Sequence, residues 1–504
     1  MKLQPAMVFG SHMVLQRQQP IPVWGKGAEG DTVTVTLGND TVSAVVIDSK
    51  WQVEFPAREA ETGLTMTIST AKTAECITFN DVAIGEVWLA GGQSNMEFLL
   101  KYDIEADTVV PSADDPLLRC FDFPEAAGPL QLQIGRYEDY GFWRPLDSEN
   151  APWFSAVGYW FGAQLRKALN VPVGILACNW GGTVASTWTS KETLEADPVF
   201  QPVLDHYAQM KGSFDWELYY NNSVQQALAD PKIMRQFTDR MLMGLPMPMP
   251  PAGGERKFTP PPIMIGPMSA NAPGALYETM VKSVAPYGAR GIIWYQGESD
   301  EQSGWSDFYD ASLKAMHSDW CKLWGKELPL MQVMLAPFHH WAMVNAERYF
   351  DLRAQQKKLA DTEENFYVAN IMDHGGYDNI HPRDKRWAGE RLSRLARKYI
   401  YGEDILADSP SLESVEWLDG KAIVNLKNAE GLHLTGENID TLELLQNGEA
   451  VDFSAQLEGN TMVITSAAIT ADAKLELRYA WQNYCIVNCY NAAELPVFPF
   501  KVEK

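Results

Sequence analysis

The sequence predicts an α/β protein: a parallel sheet covered by helices on both faces, flanked by two terminal regions rich in β-strand. Three observations carry this. In the middle of the chain, apolar runs of strand length alternate with segments of helical apolar spacing, which is the rhythm of strand-helix units. At both ends, short alternating strands are separated by turn residues with no helical period between them. The 504 residues also exceed what one hydrophobic core usually serves, so two or three domains are expected.

In chain order, residues 1–80 carry Pro20-Ile-Pro-Val-Trp-Gly25, Thr32-Val-Thr-Val-Thr-Leu37, Val42-Ser-Ala-Val-Val-Ile47 and Leu64-Thr-Met-Thr-Ile-Ser69, with a turn at Gly38-Asn39-Asp40. Strands at this spacing make a small β-sandwich of about eighty residues. Its expected role is scaffolding, with carbohydrate binding as the alternative. From 81 to 406 the helix–strand rhythm takes over. Phe154 to Leu169 has helical apolar spacing with a basic end, Val171-Pro-Val-Gly-Ile-Leu-Ala-Cys178 reads as a strand, and Tyr287 to Tyr295 and Leu328 to Leu335 repeat that pattern.

An insertion near 196–267 interrupts the rhythm. It begins with surface helices carrying Trp216, Tyr219 and Tyr220 and continues into Leu245-Pro-Met-Pro-Met-Pro-Pro251 and Phe258-Thr-Pro-Pro-Pro-Ile263. Proline at that density continues neither a helix nor a central strand. A lid and a plain surface excursion are both open readings. Residues 407–504 return to β, in Ser414-Val-Glu-Trp417, Ala422-Ile-Val-Asn-Leu426, Thr461-Met-Val-Ile-Thr465 and Leu475-Glu-Leu-Arg-Tyr-Ala480, and suggest a second sandwich-like domain.

Composition narrows the function. Lys and Arg total 41 against 65 Asp and Glu, a formal net charge of −24, so nucleic acid and anionic membranes are not expected partners. A polyanionic substrate would need basic residues gathered at its site. A homo-oligomer is compatible with the sequence. Six cysteines are scattered without paired metal-ligand spacing; Cys485 and Cys489 are near enough to pair, but buried free thiols are the expectation. No apolar run reaches membrane-spanning length, and Met1-Lys-Leu-Gln-Pro-Ala6 lacks the apolar core of a secretory signal. The expected location is cytoplasmic, with a secreted or periplasmic protein whose signal has been removed as the alternative.

The chemistry centres on Gly85-Glu-Val-Trp-Leu-Ala-Gly-Gly-Gln-Ser-Asn-Met-Glu97. An apolar strand stops at Gly91-Gly92, where residues without a Cβ turn the backbone at little cost, and Ser94 sits at the tip. A serine so placed can present its hydroxyl as nucleophile and its N–H to the same reacting group. Ser94 with Glu97 also fits a helix capping box, and on these residues alone the two readings stand level. Downstream lies Tyr377-Asp-Asn-Ile-His-Pro382, where an Asp three residues before a His lets one loop present a carboxylate and an imidazole. Most lone histidines are structural, but this spacing favours His381 as a base oriented by Asp378.

Together, Gly92-Gln-Ser-Asn-Met96, Trp180-Gly-Gly-Thr183, Trp294-Tyr-Gln-Gly-Glu-Ser299 and Asp378-x-x-His381-Pro382 with Lys385, in this order, resemble the sialate O-acetylesterase family of the SGNH (GDSL-like) hydrolases. His12-Met-Val-Leu-Gln16, Leu335-Ala-Pro-Phe338 and Tyr490-Asn491 extend the likeness along nearly the full chain. The resemblance implies an SGNH-hydrolase-like three-layer fold and a serine esterase that removes O-acetyl groups from carbohydrate, such as acetylated sialic acid or xylan and xyloglucan fragments, through an acetyl-enzyme. On this reading Ser94 is the nucleophile, His381 its base, and the N–H groups of Ser94 and Gly182 with the side-chain amide of Gln296 form the oxyanion hole. Gln93 and Asn95 are supporting residues.

Many members place an acid two residues before the histidine, where this chain has Asn379, so Glu298 rivals Asp378 as the orienting carboxylate. Leu276-Tyr-Glu-Thr279 stands where Leu-Tyr-Asn-Gly is usual, and Asp300 where relatives often carry Asn. No cofactor is expected. His339 and His340, being adjacent, should face opposite ways and lack the flanking carboxylates a hydrolytic metal wants. A small-acyl esterase or thioesterase, and a non-catalytic carbohydrate-binding protein, are the alternative functions.

Overall fold

The computed structural model describes residues 2–125, 141–213, 215–216, 239–240, 242–243, 266, 269–341 and 344–504. The chain divides into two compact units, Met1–Gln296 with Ala311–Leu330, and Gly297–Asp310 with Met331–Lys504.

In the first unit, strands β1 (Thr32–Leu37), β2 (Asp40–Val45) and β3 (Glu61–Thr70) form an antiparallel set that continues into the 17-residue strand β4 (Cys76–Gly92). Burial along β4 changes midway. Residues 76–81 alternate between exposed and half-buried, and residues 82–92 are buried without a break. The first stretch pairs antiparallel with β3 and leaves one face in water; the second keeps β3 as a partner as far as Ile84 and from Trp88 onward lies between parallel neighbours, buried throughout. The boundary expected at 80/81 therefore lies inside one continuous strand.

The parallel part is ordered β6 (Trp143–Asp147), β5 (Asp114–Asp122), β7 (Val173–Asn179), β4, β8 (Gly291–Tyr295), with β6 antiparallel at the edge. Helix α1 (Ala156–Leu169) connects β6 to β7, begins on a Ser155 cap that accepts the Gly158 N–H at 3.1 Å, and ends at Asn170 in the left-handed conformation. In register, Asn179 and Tyr295 both stand beside Gly92, so three neighbouring parallel strands end at one level. Beneath that level Trp188, Trp294 and Trp320 meet edge to face or tilted, with ring centroids 6.0 to 6.5 Å apart. All three are almost wholly buried, which gives part of the tryptophan surplus a packing role. A Cβ on Gly91 would stand 2.8 Å from the Trp294 ring.

In the second unit, strands β9 (Leu330–Val333, entering it at Met331) and β10 (Phe366–Ala369) are neighbours, and helices α2 (Tyr349–Thr362) and α3 (Arg386–Tyr399) accompany them. The C-terminal region makes two four-stranded antiparallel sheets. One contains Ser411–Leu418, Lys421–Lys427, Thr461–Thr465 and Ser454–Glu458; the other contains Glu449–Ala450, Leu442–Gln446, Leu475–Tyr479 and Phe500–Glu503. Val424, Met462 and Ile464 from the first and Leu444, Leu477 and Tyr479 from the second share one core, as a sandwich requires. Met334, Val368 and Met372 join the same core, which is why the stretch expected to split at 406/407 forms one unit.

The proline-rich runs 245–251 and 258–263, with Tyr219 and Tyr220, lie outside the described residues. Of the insertion, helix Gln201–Ser213 is described. Among the described residues no helix is long and apolar enough to cross a membrane. All six cysteines are free thiols, Cys485 and Cys489 included.

Candidate active site

In the first unit the site is built on the end of β4. Gly92 has φ +134°, and a Cβ there would stand 2.2 Å from the Tyr295 carbonyl oxygen, so only glycine makes this turn beside β8. The turn is tied to both neighbouring strands. The Gln93 N–H donates to Tyr295 O at 3.0 Å, the Trp180 N–H to Gly92 O at 3.0 Å, and the Asn179 side-chain amide to Ala90 O at 3.2 Å.

Ser94 opens the four-residue helix Ser94–Glu97, whose N-cap is Gln93. The serine is therefore not the cap, and one Glu97 carboxylate oxygen accepts the Gly181 N–H at 2.6 Å. This resolves the capping-box alternative in favour of a serine set past the turn, partly exposed and between the buried Gln93 and Asn95. The Ser155 hydroxyl holds the other end of the short helix, donating to Met96 O at 2.6 Å.

Gly181 and Gly182 come from the loop after β7. A Cβ on Gly181 would lie 3.2 Å from the Ser94 Cβ and 3.0 Å from Glu97 Oε2, so this loop passes directly beside the serine. Gly182 has φ +71° and open space around its Cβ position. Its carbonyl accepts the Asn271 side-chain amide at 2.9 Å while Asn271 Oδ1 takes the Val184 N–H at 2.9 Å. Among the described residues the Gly182 N–H has no acceptor, so it is available to a ligand. A donor fixed by its neighbours and left open is the requirement for an oxyanion hole.

Gln296, fully buried at the end of β8, behaves differently from the expectation. Its side-chain amide donates to Gln93 Oε1 at 3.2 Å and to Thr183 O at 3.0 Å, so both amide hydrogens are committed to holding the two loops that carry Ser94 and Gly182. A buried amide needs such partners, and here they are protein groups rather than an open space for substrate.

In the second unit His381 lies on the loop before α3, 4% exposed. Trp341 packs against it edge to face with centroids 5.3 Å apart. Burial, followed by the Lys385 charge, lowers its pKa from the ordinary 6.5 to about 3, so the imidazole is neutral at ordinary pH. Asp378, expected to orient it, stands exposed with no hydrogen bond to His381 or to any other described residue. The loop instead turns through Asn379, whose side-chain oxygen accepts the His381 backbone N–H at 2.9 Å. A three-residue spacing brings Asp378 near in sequence but leaves its side chain pointing to water. Glu298, the rival carboxylate, is 3% exposed in the same unit.

Behind this loop, Asp373 and Arg391 of α3 form a buried two-pronged pair at 2.6 and 2.7 Å, and Arg391 also donates to Asn370 O at 2.7 Å. The Asp373 carboxyl is held at about 2, with burial opposing and the Arg391 hydrogen bonds winning. His339 and His340 do not diverge as expected. Both rings meet Tyr377, at 4.7 and 5.5 Å.

Elsewhere, His317, Cys321 and Glu327 bring metal-ligand atoms within 4.8 Å of one another. His317 Nε2 is taken by Leu328 O at 2.7 Å, and burial raises the Cys321 thiol to about 11, the character of a packing contact. Glu97, Asn271 and Trp341 are the site neighbours that sequence reasoning missed. Glu97 alone had a signal, its spacing from Ser94, and that spacing pointed to a cap.

Three comparisons bear on this arrangement. Residues 265–397 match the model of a family described as carbohydrate esterase, sialic acid-specific acetylesterase. The chain is 25% identical to the sialate O-acetylesterase of Rattus norvegicus over 98% of this chain and 93% of that protein. It is 24% identical to that of Homo sapiens, over 95% and 87%. Among solved structures, a carbohydrate acetylesterase from Xanthomonas citri matches with a TM-score of 0.77 at 25% identity, covering 100% of this chain and 99% of that one.

Proposed function

We propose, from the premise that this chain belongs to the sialate O-acetylesterase family of carbohydrate esterases, that Ser94 is the nucleophile with which it cleaves acetate esters of sugars. The chain is a carboxylic ester hydrolase that removes O-acetyl groups from carbohydrate. The observation that carries the assignment is the open Gly182 N–H on a loop packed against the Ser94 Cβ. His381, buried and neutral, takes the hydroxyl proton as Ser94 attacks the acetyl carbonyl, then returns it to the departing sugar oxygen. Water attacks the acetyl-enzyme by the reverse use of the same base, and acetate leaves.

The N–H groups of Ser94 and Gly182 stabilise the oxyanion. Gln296, with its amide engaged on both loops, acts by fixing the distance between them and joins the hole only by exchanging one of those bonds for the substrate oxygen. Of the two carboxylates, the buried Glu298 suits the orienting role better than the exposed Asp378, because a carboxylate in water is screened from an imidazolium in a dry site.

Acetate release from p-nitrophenyl acetate and from an acetylated xylo-oligosaccharide tests the reading. Ser94→Ala and His381→Ala should each lower kcat by at least about 10³-fold and to similar extents, since the pair acts as a unit. Retention of full activity by Ser94→Ala would overturn the assignment.

A further inference from the structure

The second unit exposes aromatic rings beside the loop that carries His381. Tyr377 is 50% exposed, unusual for so large a ring. Its surroundings are fixed: His339 lies tilted against it at 4.7 Å and 31°, while His340 and Tyr484 meet it edge on at 5.5 and 5.1 Å. The backbone is fixed as well. The Tyr377 carbonyl accepts the N–H of both His339 and His340, at 3.2 and 3.1 Å, and the Gly376 N–H donates to Pro337 O at 3.0 Å. Continuity with the catalytic imidazole runs through the next residue, because Trp341 follows His340 and packs on His381 at 5.3 Å.

An exposed aromatic surface held rigid in advance suits ligand binding, since a ligand that covers it orders little further. Here every exposed ring has an apolar face and a polar rim, two imidazoles and a phenol. A sugar ring has the same division, with C–H bonds on its faces and hydroxyls around its edge. We propose that Tyr377, supported by His339 and His340, is the subsite on which a pyranose ring of the leaving group stacks. The inference rests on the carbohydrate esterase reading of His381. It names what holds the alcohol side of the ester while the acetyl group is transferred.

The test compares three acetates: an acetylated xylo-oligosaccharide, an O-acetylated sialic acid, and ethyl acetate, whose leaving group is too small to stack. Tyr377→Ala should raise KM for a stacking sugar acetate with kcat nearly kept. The ratio of kcat/KM for that sugar acetate to kcat/KM for ethyl acetate should fall about 5- to 10-fold, the size of an aromatic contact. Tyr377→Phe, which keeps the ring, should restore it. The sugar that shows the effect identifies which ring the platform takes.

An equal loss on all three acetates would mean that Tyr377 only supports the loop and would overturn the proposal. So would an unchanged ratio for both sugars. Should the wild type release acetate from none of them, the esterase reading fails separately. Calorimetric titration with unacetylated xylotriose then decides the subsite: binding lost in Tyr377→Ala upholds it, and no binding to the wild type ends it.

Discussion

The carboxylate of Glu97 accepts the backbone N–H of Gly181 at 2.6 Å, across 84 positions of sequence. Together with the Gln296 side chain, this bond joins the helical turn that begins with Ser94 to the loop that offers the Gly182 N–H, so the spacing of nucleophile and oxyanion donor depends in part on it. Replacing the charged acceptor by a neutral one weakens the bond while keeping its shape. Glu97→Gln should therefore lower kcat about tenfold with little change in KM, because the interaction it supports forms in the transition state. Steady-state kinetics on p-nitrophenyl acetate check this.

The orienting acid can be decided by paired substitution. Glu298→Gln should lower kcat by about 10²-fold or more, whereas Asp378→Asn, at an exposed position, should stay within about threefold of the wild type. The reverse order would return the role to Asp378. Initial rates at neutral pH suffice, provided circular dichroism shows both variants folded.

Three buried groups compete in the acid response. His381 titrates near 3 in the fold against 6.5 unfolded, so below 6.5 the unfolded chain binds a proton that the native chain refuses. Stability is full above that value and declines as pH falls toward 3. Asp373, at about 2 in the fold against 3.8, adds a second loss below about pH 4. Asp122 opposes them: burial raises it to about 7 against 3.8, so between those values the native chain holds a proton that the unfolded chain releases, and stability rises as pH falls. Urea midpoints should change little between pH 6.5 and 4, where His381 and Asp122 oppose each other, and fall below pH 4, while kcat/KM measured on still-folded enzyme should show no acidic limb near 6.5.

The Asp373–Arg391 pair is almost wholly buried and ties α3 to the segment that leads into the His381 loop. Asp373→Asn leaves the guanidinium without its counter-charge and should cost about 3–5 kcal/mol of stability. Thermal unfolding would register it as a drop of several degrees or more.

What the sequence made legible, and what it did not, follows from the range of the interactions involved. Ser94 beyond Gly91-Gly92 was readable because a buried strand ending in two glycines is a local signal. The level ends of β4, β7 and β8 followed from strand-helix alternation, since parallel sheets collect loops on one edge. The Asn271 clamp on Gly182 was not readable, because nothing local to either residue names its partner. Asp378 fell to a similar limit. Spacing fixes how close two residues are along a loop, but the turn through Asn379 decides which side chain faces inward. Gln296 follows a buried apolar run, which is legible, yet its amide partners are Gln93 and Thr183, whose approach depends on how two distant loops close.

Because β4 runs through a bulge at Asp81, where φ is +53°, and on to the Gly91-Gly92 turn, the N-terminal β region and the nucleophile share one piece of backbone. A chain that began at residue 81 would therefore open directly on the buried stretch of β4, and Val82 and Ile84 would lose the partners, Leu64 and Glu61, that β3 gives them.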